Sequence, residues 1–167
     1  AAMHALEAHK LERVAVVDFD VHHGNGTQTM AEREPRLMFA STHQAPLYPG
    51  TGDADETGIA GNVVNAPLPA GAGGAAWRHA MKTRVLPALD AFAPQLILVS
   101  AGFDAHKADP LAQMELETED FAWAARELRA LALQHCQGKL VSTLEGGYDL
   151  AALAGSAAAY LAALQRD

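Results

Sequence analysis

The chain has 167 residues, half of them hydrophobic and 19% charged, with a formal net charge of −8 at pH 7. That balance suits one globular domain with a sizeable core and excludes global disorder; without a Lys/Arg cluster it also speaks against a nucleic-acid-binding face. A single cysteine, Cys136, rules out an intramolecular disulfide or a CxxC metal site, and no apolar run reaches the roughly 18 residues of a membrane span, so a soluble protein in the reducing cytoplasm is expected.

The opening residues, AAMHALEAHKLER, combine helical spacing with scattered charge, unlike a secretory leader. They predict a helix over 1–11. The first residue is not Met and lies inside that helix, so a fragment of a larger domain is expected. RVAVVDFD (13–20) then reads as a short, continuous, β-branched-rich strand of the kind buried in parallel sheets. A helix over 27–34 follows, then a strand in RLMFAST (36–42), a polar loop over 43–62, a weaker strand in NVVNAPL (62–68) and a helix over 75–92. QLILVSAG (95–102) is the next strand, and a polar stretch over 103–117 follows it. A helix over 118–136 takes Thr118 as its expected N-cap and places Cys136 as a buried, inert thiol. KLVSTLEGG (139–147) supplies the last strand, and Asp149 caps a final helix over 149–165. This alternation predicts an α/β fold, a three-layer open parallel sheet with helices on both faces joined by right-handed crossovers. The two long polar stretches each follow a strand, and loops of that length are usually functional. Open parallel sheets bind ligands beyond the carboxyl ends of their strands.

Those ends carry the chemistry. In VAVVDFDVHHGNGTQ (Val14–Gln28), side chains two apart on extended backbone point to one side. Asp18, Asp20 and His22 thus share one face, and Phe19, Val21 and His23 the other. Asp20 and His22 could reach one cation together, with Asp18 behind them, and Asp104 past a second strand end offers a third ligand while leaving a position for water. Two carboxylates and an imidazole suit zinc or ferrous iron. The same residues also suit a solvated polar turn, but three acids packed without a cation would repel one another. In LEGGYDL, Gly146 and Gly147 permit a tight turn and a close approach to a ligand. Tyr148 then either aims its hydroxyl into the same mouth, where a phenol can stabilise a developing oxyanion, or packs on the surface beside a glycine cap. Tyr48, in the rim loop HQAPLYPGTGDADETG, lines a pocket or serves as packing. Ser41 and Thr42 precede His43 at a strand end, where hydroxyl and carbonyl oxygens could hold a monovalent cation. The remaining histidines, His4, His9, His79, His106 and His135, read as solvated.

DFDVHHGNGTQ, STHQAPLYPGTG, SAGFDAHKADPL and LEGGYDL, in that order, resemble the histone deacetylase and acetylpolyamine amidohydrolase superfamily, of the arginase/deacetylase fold, over nearly the whole chain. HHGNGTQ and LEGGY are similar to its class II branch and bacterial relatives. The resemblance implies Asp20, His22 and Asp104 as zinc ligands and Tyr148 as the tyrosine that polarises the amide carbonyl and steadies the oxyanion. It implies Asp18 and Asn25 as hydrogen-bond partners of a catalytic tandem histidine pair. Asp18, Ser41 and Thr42, with backbone carbonyls of Asp20 and His22, match a structural potassium site. Tyr48 falls at the aromatic wall of an acyl-lysine tunnel, Gly146 and Gly147 beside the pocket, and Leu111 at the rim, where polyamine-selective relatives carry an acid. The implied reaction hydrolyses the amide of acetyl-lysine or a related acylated small amine. The family's general base is a His-His pair that precedes the matching segment, and His22-His23 is not that pair. The chain is therefore expected to be the C-terminal portion of one deacetylase domain, inactive or nearly so alone, and to form a homo-oligomer or accept a complementing N-terminal segment. Two rival readings are a non-catalytic acyl-lysine-binding or scaffold module on the same fold, and a binuclear manganese ureohydrolase, for which DFDVHH lacks the additional acids.

Overall fold

Five short apolar runs pair into one all-parallel sheet. In a computed structural model, which describes residues 1–165, β1 (Val14–Asp18), β2 (Leu37–Gln44), β3 (Val63–Leu68), β4 (Leu96–Ala101) and β5 (Leu140–Leu144) lie in the order β3-β2-β1-β4-β5. The helices are α1 (Ala2–Glu7), α2 (Asn25–Ala31), α3 (Gly74–Ala80), α4 (Leu86–Phe92), α5 (Thr118–Cys136) and α6 (Leu150–Gln165). Among the described residues, no helix is long and apolar enough to cross a membrane.

All five residues of β1 are buried, because its alternating side chains feed two cores. Val14 and Val16 join Leu37, Phe39 and Val63 beneath Ala2, Ala5 and Leu6 of α1 and Ala31 of α2. Ala15 and Val17 face a larger core with Trp77, Met81, Leu89, Phe121, Leu128 and Tyr160. Burying each large side chain stabilises the fold by roughly 1.5–3 kcal/mol. Double-sided burial is what removes the polar alternation from the strand sequences. The result is the expected three-layer α/β sheet with helices on both faces. β5 is the edge. Its Ser142 bonds Tyr160 of α6 at 2.8 Å on one face, whereas Val141 on the other is 58% exposed.

Five local expectations change. β1 ends at Asp18, two residues earlier than expected, because side chains take over from the ladder. The Asp20 N–H donates to Asp18 Oδ1 at 3.1 Å and the His22 N–H to Asp20 Oδ1 at 2.8 Å. Glu117, not Thr118, is the N-cap of α5, since it forms a reciprocal capping box with Asp120. The helix expected over 75–92 is interrupted by a π-helical turn at Met81–Val85. Pro87 lies just beyond it; proline lacks an N–H, and its ring clashes with the carbonyl four residues back, so the coil widens before it. The first helix ends at Glu7, and α2 starts at Asn25 rather than residue 27. Asp149 caps α6 as expected, accepting the Ala152 N–H at 2.8 Å, and Cys136 is buried.

The chain runs β1 to β2 to β3 in one direction along the sheet and places β4 and β5 on the other side of β1. Strand order thus reverses between β1 and β4. A crevice opens at the carboxyl ends of strands at such a switch point.

Candidate metal centre

That crevice holds Asp20 and His22 beyond β1 and Asp104 beyond β4. Their ligand atoms all lie within 4.8 Å of one another. His22 Nδ1 is 3.0 Å from Asp20 Oδ1 and 3.2 Å from Asp104 Oδ2. Asp104 is 1% exposed. Its Oδ1 accepts the Val21 N–H at 2.9 Å, but Oδ2 is buried and makes no hydrogen bond despite the nearby imidazole. Asp20 Oδ2 accepts the Gly146 N–H at 2.8 Å, and the Gly146 carbonyl accepts the Phe103 N–H at 2.7 Å. The ends of β1, β4 and β5 are thereby tied together. There is no room for a methyl group here: a Cβ on Gly146 would run into Asp104 and Asp20, and one on Gly102 into Asp20.

The electrostatics are unfavourable to the bare acids. Burial, and then the charge of Asp20, pushes the Asp104 carboxyl up to about 6. The same two causes hold Asp18 well above the usual carboxylate range. A divalent cation held by Asp20, His22 and Asp104 would favour the charged carboxylates and give the orphaned Oδ2 a partner. Two carboxylates and one imidazole fit zinc or ferrous iron.

The other expected residues divide. Asp18 and Ser41 are register partners on β1 and β2 and share a face. The Ser41 hydroxyl lies 3.0 Å from His43 Nδ1. Thr42 points to the opposite face, where its hydroxyl accepts the Trp77 indole N–H at 2.9 Å, so only its backbone could serve a cation beside Asp18. Asn25 is exposed at the start of α2. Tyr148, 53% exposed, lines a cleft of about 620 Å³ together with Asp20, His22, Tyr48, Leu111 and Gly146. Tyr48 stands edge-on to His22, with ring centroids 6.4 Å apart. Gly147 turns the chain at φ +140° with its α-carbon toward Leu153 and Phe103. Partial burial, then repulsion from Asp104, Asp20 and Asp109, pushes the Tyr148 phenol up, which keeps it a donor near neutral pH.

His23 faces away from the cleft. It is 4% exposed, with Nδ1 2.8 Å from the Thr51 hydroxyl and Nε2 2.8 Å from Gln28 Oε1. Gln28 in turn donates to Glu32 and Glu56, and Asn65 donates to Gln28 Oε1 at 2.7 Å. His43 lies alongside, with ring centroids 4.8 Å apart and Nε2 donating to the Gly52 carbonyl at 3.1 Å. No motif announced this network, since its members come from four separate segments. Two further histidines depart from the solvated expectation. His135 pairs with Asp90 at 2.7 Å and His106 stacks on Phe121, because long helices and the 103–117 loop bring distant residues against them. His4, His9 and His79 are exposed.

Residues 1–164 match the family model described as histone deacetylase domain. The chain is 44% identical over 161 residues to histone deacetylase 14, chloroplastic, of Arabidopsis thaliana, covering 95% of this chain and 38% of that protein. It is 46% identical over 144 residues to the histone deacetylase-like amidohydrolase of Pseudomonas aeruginosa, covering 84% of this chain and 38% of that protein. The crystal structure of the HDA15 HD domain superposes with a TM-score of 0.87 at 38% identity, over 95% of this chain and 45% of that one. The chain spans less than half the length of each of these three.

Proposed function

The chain belongs to the histone deacetylase domain family, and from that premise we propose that it carries the metal-binding and oxyanion-stabilising side of a zinc-dependent deacetylase. The reaction is hydrolysis of the amide of acetyl-lysine, or of a related N-acyl amine, to acetate and a free amine. The observation that carries this reading is the convergence of Asp20, His22 and the orphaned Asp104 Oδ2 in a cleft that Tyr148 also lines. Zinc, or ferrous iron in its place, would be held by Asp20, His22 and Asp104 and would supply Lewis acidity toward water and the acyl carbonyl.

The chain's own residues do the rest. As water oxygen adds to the carbonyl carbon, the Tyr148 hydroxyl donates to the developing oxyanion. The general-base histidine pair takes a proton from the water as it adds; the amide C–N bond then breaks, and the amine nitrogen takes up that proton. Tyr48 and Leu111 line the path of the acyl chain and its methylene stem. Asp18 orients one histidine of a general-base pair and Asn25 the second, the pair coming from a complementing N-terminal segment that docks along the open β5 edge. A potassium ion beside Asp18 and Ser41, also bound by carbonyls of Asp20, His22 and Thr42, would stiffen the β1 end. The proposed setting is cytoplasmic, away from membrane and nucleic acid, in keeping with the lone, buried Cys136 and the net negative charge.

The test is the zinc-loaded full-length protein assayed on an acetyl-lysine peptide. Tyr148→Phe is expected to lower kcat by about 10²–10³-fold while leaving KM nearly unchanged. An unchanged kcat overturns the role of Tyr148.

A further inference from the structure

The turn that carries Tyr148 is anchored on both flanks. On the β5 side, the Glu145 N–H donates to the Ala101 carbonyl at 3.1 Å, and Gly146 is held by Asp20 and Phe103. On the α6 side, Asp149 accepts from Ala152 and Leu153. Gly147, at φ +140°, separates the first anchor from the tyrosine. Among the described residues, the backbones of Gly147 and Tyr148 make one hydrogen bond between them: the Tyr148 N–H donates to Asp109 Oδ2 at 2.8 Å.

Asp109 is 8% exposed. Its other oxygen, Oδ1, accepts the Leu111 N–H at 2.9 Å, closing a turn over Pro110, and its own N–H donates to the His106 carbonyl at 2.8 Å. One planar carboxylate therefore fastens two walls of the cleft, the Tyr148 turn and the Leu111 rim, through two charge-assisted bonds. A carboxylate buried at this position has no role in holding the metal and does not line the cleft.

We infer that Asp109 is a positioning residue for the proposed hydrolysis, holding the Tyr148 backbone so that its hydroxyl meets the acyl oxygen, and setting that donor relative to the Leu111 rim. The inference rests on the deacetylase reading, but one of its readouts needs no turnover.

Asp109→Asn keeps the shape. The local turn to Leu111 retains the remaining oxygen, which leaves an amide NH₂ facing the Tyr148 N–H, donor against donor. In the zinc-loaded full-length enzyme, kcat on an acetyl-lysine peptide is expected to fall about 10- to 100-fold, the penalty of a small misplacement of a reacting group, with KM and zinc content near wild type. In a Tyr148→Phe background the same substitution should cause no further loss. Hydrogen exchange of the peptide spanning 145–149 should accelerate. Asp109→Ser, whose hydroxyl can still close the Leu111 turn, is the second variant should the first fail to fold. Wild-type kcat and wild-type exchange in the variant overturn the inference, as does an equal loss of kcat with and without the Tyr148 hydroxyl. If the wild-type enzyme itself hydrolyses nothing, the deacetylase reading falls, and the exchange measurement alone decides whether Asp109 holds the turn.

Discussion

His22 and His23 are neighbours in the chain and members of opposite kinds of polar region. His22 enters a cluster of acids that repel one another and leave one buried oxygen without a partner. His23 enters a network, open to water only at its rim, in which Thr51, Gln28, Glu56 and Asn65 answer one another, with a single unpaired acceptor on Asn65. A network of mostly neutral groups that pair with one another behaves as scaffold, fixing the 50–58 loop against β1 and β2. A cluster of acids that converge on one point behaves as a receptor, because their mutual repulsion persists until a cation arrives.

The sharpest way to break this contrast is to remove each histidine. His22→Ala should lower zinc affinity of the full-length protein by more than the roughly 10–100-fold that supporting partners of a metal site are worth, read by metal analysis after dialysis. His23→Ala should leave zinc uptake intact and lower stability by about 2–4 kcal/mol through a cavity and the loss of a buried hydrogen bond to Gln28, read by urea unfolding. Reversed outcomes would dissolve the distinction.

The two regions also respond oppositely to pH. Burial, and then His23, pushes His43 down to about 4, below the roughly 6.5 of an unfolded histidine. Between those values the unfolded chain binds the extra proton, so stability is lost as pH falls, by on the order of 3 kcal/mol in all. Asp104 in metal-free protein is raised to about 6 by burial and then Asp20, so here the folded state binds the extra proton. Its contribution is full below the unfolded value and disappears as pH rises through about 6. The two slopes oppose one another. Metal-free His43→Gln should lose stability with rising pH more steeply than the wild type, and metal-free Asp104→Asn less steeply, Asp18 sloping the same way as Asp104 in all three. Parallel profiles in urea unfolding at several pH values would contradict the assignment.

The smallest effect is expected from Thr51→Val, which removes one hydroxyl from His23 Nδ1. Thr51 is exposed, so water can take its place, and the loss should be about 1 kcal/mol or less with zinc uptake unchanged.

The strands were legible because double-sided burial writes continuous apolar runs, and Asp20 and His22 because a two-residue spacing survives even where the strand gives way to a bend. Asp104 could be guessed from its place after β4. The network around His23 was not legible: Gln28, Thr51 and Glu56 lie within motif-bearing segments that do not announce their contact, and Asn65 reaches them only through the sheet. Asp109 was equally hidden, since its partners Tyr148 and Leu111 lie on different loops. Glu117 lost out to Thr118 in the reading because a reciprocal cap depends on Asp120 folding back, which residue type alone does not reveal. The π-helical turn before Pro87 was missed because one helix was expected over 75–92, with the proline left out of account.

The glycines packed against the acids have a consequence on an evolutionary scale. At Gly102 and Gly146 every alternative amino acid brings a Cβ into a carboxylate that already has a fixed place. No amino-acid replacement there is silent at the level of shape. These two positions are walls in sequence space: drift can rewrite the rim at Tyr48 or Leu111 and retune what enters the cleft, while the ground beneath Asp20 and Asp104 stays closed to single substitutions.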